Sequence, residues 1–226
     1  MSPPLPQPPE GAKLIHTRQY HVQVFRRDAT TMILRGVVQD TKPGNLYIAE
    51  DDGQLTIHHM IVDLDVRFPD LTIVAVNVDF ESFPHDTCPA IVEHYGKLVG
   101  MSIGRGFLNR VRELFGGPRG CTHTTALLQA MAPAAVQASF SMRFEAMRES
   151  QQTGATIADA FATMTPEDRR RQFAYNINTC HVWDENGEQV RALESGTMER
   201  GTPLFIRKRL AELGRDGEVW QTPMRA

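Results

Sequence analysis

The sequence predicts an α+β protein, an antiparallel β-meander sheet of about four to six strands with helices packed on one side. Two patterns carry this expectation. Between Tyr20 and Phe80 apolar and polar side chains alternate with a period of two, interrupted by turn residues. From Thr122 onward Leu127, Met131, Ala134 and Ala138 recur at three- and four-residue steps, the spacing of a buried helical face. No internal repeat and no shift in composition divides the chain. Residues 18–226 are therefore read as a single domain behind a flexible, proline-rich leader over residues 1–17.

Composition narrows the function classes. With 226 residues the chain can bury a substantial core without disulfides or a structural metal. A net charge of −3 is not the strongly basic balance of a nucleic-acid binder. Three cysteines are an odd number, and no signal-like start precedes them, so a reduced, cytoplasmic protein is expected. No apolar run approaches the roughly 20 residues that span a bilayer. The expected partner is a small-molecule substrate, with no nucleic acid and no membrane, and with homo-oligomer formation open.

The elements follow in order. Val22, Val24 and Arg26 alternate with Gln23, Phe25 and Arg27 in the first strand, and Thr31 to Asp40 forms the second. The turns TKPGN and EDDG precede the third, whose residues His58, Met60, Val62, Leu64 and Val66 share one face. His59, Asp63 and Asp65 share the other, read as solvated. Because neighbouring strand residues point oppositely, His58 and His59 cannot chelate one ion together. Thr72, Val74, Val76, Val78 and Phe80 form one face of the fourth strand. Pro89 opens a helix capped by Cys88, and Gly106 to Phe115 forms a second that buries Phe107, Val111 and Leu114 and exposes Arg105, Arg110 and Arg112. The following long helix contains Pro133, which predicts a kink or break near Gln129. Ile157, Ala160, Phe161 and Met164 are helix-periodic, and Thr165 caps a helix ending near Tyr175. INTCHVW, DENG and EQVRAL predict a hairpin turning at Asn186-Gly187. Pro203 to Leu213 forms a last helix with a solvated basic face.

The densest chemistry lies in GGPRGCTHTT, where a glycine-rich turn places Cys121, Thr122 and His123 on the first turn of a helix. Unpaired backbone N–H groups there favour an anion. His123 or His181 would move a proton, with Cys121 assisting or acting as nucleophile. Arg119, Thr122 and Cys88 would contact the substrate, with Tyr175 and Trp183 among the apolar neighbours, together with Phe83, Phe115 and Met131. No GxSxG, P-loop or GxGxxG is present, so serine-hydrolase, nucleotide-hydrolase, nicotinamide and flavin chemistry have no motif behind them. The alternative reading groups Cys88, Cys121, His123 and Cys180 as ligands of zinc or iron in a metal or cluster carrier. A third is a non-catalytic ligand-binding or assembly module.

The order FPxxxCP, LVGxxIGxGF, GGxxGCTH and a later lone cysteine resembles an uncharacterised bacterial domain of unknown function marked by a GCTHL box. The resemblance covers roughly residues 18 to 195, with Thr124 standing where the box has leucine. It implies that Cys88, Cys121, His123 and Cys180 belong together, and it links the chain loosely to bacterial catabolism of aromatic and other hydrophobic acids. The expectation is thus a lyase or proton-transfer enzyme acting on an aromatic or hydrophobic organic acid, with no cofactor required.

Overall fold

A computed structural model describes residues 5–104, 106–150, 164–197 and 204–215. The chain forms two compact units, Met1–Ser139 and Phe140–Ala226, each described here by itself.

The first unit is built on a four-stranded antiparallel meander, β1 (Thr17–Arg26), β2 (Thr31–Lys42), β3 (Leu55–Arg67) and β4 (Thr72–Ser82), in the spatial order β1-β2-β3-β4. The period-two pattern creates it. On β2 the side chains of Met32, Leu34 and Val38 face the core, as do Met60, Val62, Leu64 and Val66 on β3, all at 0–1% exposure. Each such burial stabilises the fold by about 1.5–3 kcal/mol. The opposite face is mixed: Arg35 and Asp63 oppose each other and Arg27 reaches Asp65, among half-buried Ile33, Val37 and Ile61.

One expectation about β4 is corrected. The pairing with β3 shifts between Asp65 and Val66, so Ile73 rather than Val74 turns inward, and Val74 is 43% exposed. An extra residue in one strand inverts the alternation beyond it. Val78 and Phe80, after that shift, lie in the core as expected.

Thr87 stands at the N-cap position of a 3-10 helix, Cys88–Leu98, without a side-chain capping bond, and Cys88 is its first residue rather than its cap. It is followed by α1 (Phe107–Phe115) and a single 3-10 turn, Gly117–Arg119. In α1 Phe107, Val111 and Phe115 are buried, while Arg110 and Arg112 are exposed; Arg105 lies outside the described residues. Gly117 takes a φ of 60°, and a Cβ on Gly120 would stand 2.5 Å from the Phe115 carbonyl oxygen, so the glycine-rich turn is required by its geometry.

From that turn rises α2 (Thr122–Ser150), which continues through Pro133. The expected break is absent because Met131, Ala132 and Ala135 are buried on either side of the proline, and packing outweighs the lost donor. The helix lies close against the sheet at Gly36, where a Cβ would come 2.5 Å from Met131 Sδ and 3.1 Å from Leu127 Cδ1.

The second unit holds α3 (Pro166–Gln172), α4 (Glu188–Ser195) and α5 (Leu204–Glu212). Thr165 caps α3 as expected, accepting from the Asp168 backbone N–H at 3.1 Å. The predicted hairpin does not form. His181–Trp183 is a 3-10 turn and Glu188–Ser195 a helix, since Val190 and Leu193 are buried at a helical spacing. The stretch around Ile157, Ala160 and Phe161 lies outside the described residues. No helix among the described residues is long and apolar enough to cross a membrane.

Candidate functional site

The polar end of the sheet's inner face carries the densest chemistry in the first unit. Register places Arg18 of β1 opposite Asp40 of β2, and Asp40 opposite His58 of β3, so the three form one cross-strand row. The row terminates the apolar alternation Met32, Leu34, Gly36, Val38. Immediately beyond it the β2–β3 pairing shifts between Asp40 and Thr41, and both residues are buried.

Helix α2 brings a fourth group. His123, Leu127 and Met131 stand at four-residue steps of about 6 Å. On β2, Asp40, Val38 and Gly36 stand at two-residue steps of about 6.6 Å. With Met131 fixed over Gly36, the two spacings deliver His123 to Asp40. His123 Nε2 lies 3.3 Å from Asp40 Oδ2, and His58 Nδ1 lies 3.0 Å from the same oxygen. The two imidazole rings stack with centroids 3.7 Å apart and planes 27° apart.

Arg18 grips the same carboxylate with a fork, Nε donating to Oδ1 and Nη2 to Oδ2, both at 2.7 Å. His16 Nε2 lies 3.3 Å from Oδ1. The Asp40 side chain is 2% exposed, those of His58 and His123 are 18% and 19%, and Arg18 is 34%. A buried anion thus lies beneath half-buried rings that open toward solvent.

Electrostatics follow from this arrangement. The hydrogen bonds from Arg18 hold the Asp40 carboxyl down at about 2 against the upward push of burial, helped by the Arg18 charge and by His58. Arg18 is in turn raised by its bond to Asp40. Burial lowers His123 below the usual imidazole value, and the nearby His58 and Arg18 lower it further, against the pull of Asp40. At neutral pH the site therefore presents an ionised carboxylate and a neutral His123.

Cys121 immediately precedes α2, and its carbonyl accepts the Thr125 N–H at 2.9 Å, closing the first helical turn. Its Sγ lies 3.7 Å from His123 Nδ1. The Tyr95 hydroxyl, buried under Phe115, accepts the Cys121 N–H at 2.8 Å and pins this corner. Thr124, beside His123, is fully buried.

The remaining expected site residues are placed as follows. Arg119 donates from Nε to the Glu113 carbonyl and from Nη2 to that of Arg112, tying down the end of α1, while the arginine bonded to the cluster is Arg18. Thr122 is the first residue of α2 and is exposed. Cys88 is half-buried at the start of its 3-10 helix. Phe115 and Met131 belong to the core. In the second unit, Cys180 and His181 are exposed, Tyr175 is half-buried, and Trp183 stacks on Phe173 at 5.6 Å. Among the described residues, the grouping of three metal-type ligands is Asp40, His58 and His123, which takes in His123 but neither Cys88 nor Cys121.

Sequence reasoning did not single out Arg18, Asp40, His16 or His58 as site residues. A signal existed. Asp40 falls on the inward phase of β2 and His58 on the inward phase of β3, where a charged residue must find partners. As expected, His58 and His59 diverge, the latter pairing with Glu81 at 2.8 Å.

No curated protein and no solved structure matches the chain. Residues 16–137 match a family described as "Protein of unknown function (DUF2889)", a span that contains His16, Arg18, Asp40, His58, Cys121 and His123. Since that span exceeds half of the sequence and carries the whole cluster, the chain belongs to the DUF2889 family.

Proposed function

We propose that this protein is a small-molecule enzyme whose chemistry is centred on Asp40, His58 and His123 and whose substrate is an organic acid. The observation that carries the reading is the convergence of two stacked imidazoles on one oxygen of a buried carboxylate, at a half-open end of the sheet. A core needs no such group, and ionisable side chains gathered where two imidazoles stay partly exposed are suited to moving protons. Proton-transfer or lyase-type chemistry fits the donor set. Cys121 would act through His123, holding its far nitrogen. The aromatic or hydrophobic character of the acid and its place in bacterial catabolism are part of the proposal and rest on the resemblance noted in the sequence.

Proton transfer is detectable without knowing the overall reaction. The protein as purified is incubated in deuterated buffer with a panel of aromatic and aliphatic carboxylic acids, and deuterium uptake and product formation are followed by NMR. At least one acid should exchange or react, and His123→Asn, with an unchanged circular dichroism spectrum, should lose about 100-fold or more of that rate. Equal rates in the variant, or no reaction across the panel, would sink the reading.

A further inference from the structure

What the three converging donors hold between them can be inferred from their spacing, and this inference rests on reading the Asp40 cluster as a functional site. We propose that Asp40 Oδ2, His58 Nδ1 and His123 Nε2 ligate one divalent first-row transition-metal ion.

The three donor atoms lie within 4.8 Å of one another. The two nitrogens stand 3.0 and 3.3 Å from Oδ2. Ligands at about 2.0–2.1 Å from a common ion are separated by about 3.3 Å in a tetrahedron and about 2.9 Å in an octahedron. Both distances fall within that interval. One carboxylate and two imidazoles form a donor set that suits zinc, iron(II) and their neighbours and leaves coordination positions free. Both rings are partly exposed, at 18% and 19%, so a water or a substrate oxygen could reach the ion from solvent.

The outer partners match as well. Ligating carboxylates and imidazoles are usually held by a second hydrogen bond. Arg18 forms a fork on Asp40 that uses one lone pair of each oxygen and leaves another on Oδ2. Cys121 Sγ lies against His123 Nδ1, the nitrogen opposite the donor, and so sits outside the ligand set. Arg18 cancels the charge of Asp40, so the ion would keep its two positive charges beside two neutral rings. That balance favours an anionic ligand such as a carboxylate. With the ion in place the imidazoles would serve as ligands, and a water on the ion would supply the acid/base group while a bound substrate oxygen would be polarised.

The test uses the full chain, stripped with chelator and titrated with Zn²⁺ by calorimetry and with Co²⁺ by absorption. The expected result is one ion per chain, with Co²⁺ ligand-field bands and no thiolate charge-transfer band. Loss of an outer partner costs about 10–100-fold in affinity. His58→Gln and His123→Gln, each removing a ligand, should therefore lose about 100-fold or more, while Cys121→Ser keeps the stoichiometry. If one histidine variant fails to fold, the other and the wild-type spectrum still decide. Absence of stoichiometric binding, binding that survives the folded histidine variant, or a thiolate band would overturn the proposal. Binding is read without substrate. A chain that holds the ion but reacts with no acid overturns only the catalytic reading, and one that exchanges protons but binds no stoichiometric ion overturns only this one.

Discussion

Strand β2 carries two arginine–aspartate forks of nearly equal geometry and opposite character. At one end Arg18 binds Asp40 with both bonds at 2.7 Å; near the middle Arg35 binds Asp63 with both at 2.8 Å. Each is a cross-strand pair in register. They differ in which face they occupy. Asp40 points into the core and its side chain is 2% exposed, whereas Asp63 points to solvent and is 23% exposed beside an arginine that is 55% exposed. An exposed fork can exchange its partner for water, but a buried one cannot. Bond length therefore says little about what a charge pair does; the surroundings of its carboxylate decide.

The largest test of this contrast is Arg18→Ala. It leaves a buried carboxylate without its cation; because Arg18 is 34% exposed, the loss should lie toward the lower end of the about 3–5 kcal/mol that removing one partner of a fully buried pair costs. Urea unfolding should show a loss of that order, and a loss no greater than that of Arg35→Ala would erase the distinction between the two faces. A third fork, Arg67 on Asp70, sharpens the comparison through pH. It is exposed, yet the bonds from Arg67, aided by Thr72, hold the Asp70 carboxyl at about 2, below the ordinary 3.8. A depressed carboxylate contributes stability that is present above its unfolded value and is lost as pH falls through its folded one. Thermal unfolding of Asp70→Asn should accordingly converge with wild type between about pH 4 and pH 2, and parallel curves over that range would show that the fork contributes nothing. The smallest effect is expected for Arg35→Ala, whose urea midpoint should stay within experimental scatter of wild type, since both partners are well hydrated without each other.

Much of the first unit was legible because its patterns are periodic and local. The alternation on β3 separated His58 from His59, and the glycine-rich turn before Cys121 announced a helix start carrying His123. The site itself was not legible, because it is made by register. That Asp40 stands between Arg18 and His58 depends on how two turns set the strand pairing, and no property of Asp40 alone reports it. Alternation alone puts Val74 on the inner face, because a bulge is a property of two strands together. EQVRAL fits a short strand or a helical turn, and only the burial of Val190 and Leu193 decides for the helix. Pro133 was overruled by packing on both sides of it.

The close approach of α2 to Gly36 works like the zero mark of a vernier. Two strand residues advance about 6.6 Å and four helical residues about 6 Å, so the two scales coincide near their common origin and drift apart beyond it. Asp40 and His123 fall two divisions from that origin, where the mismatch is still little more than an ångström. Two residues inserted between Gly36 and Asp40 would preserve every face of the sheet and every turn of the helix, yet slide the carboxylate a full division past the imidazole. Chain length between these marks is as much a part of the site as the groups it brings together.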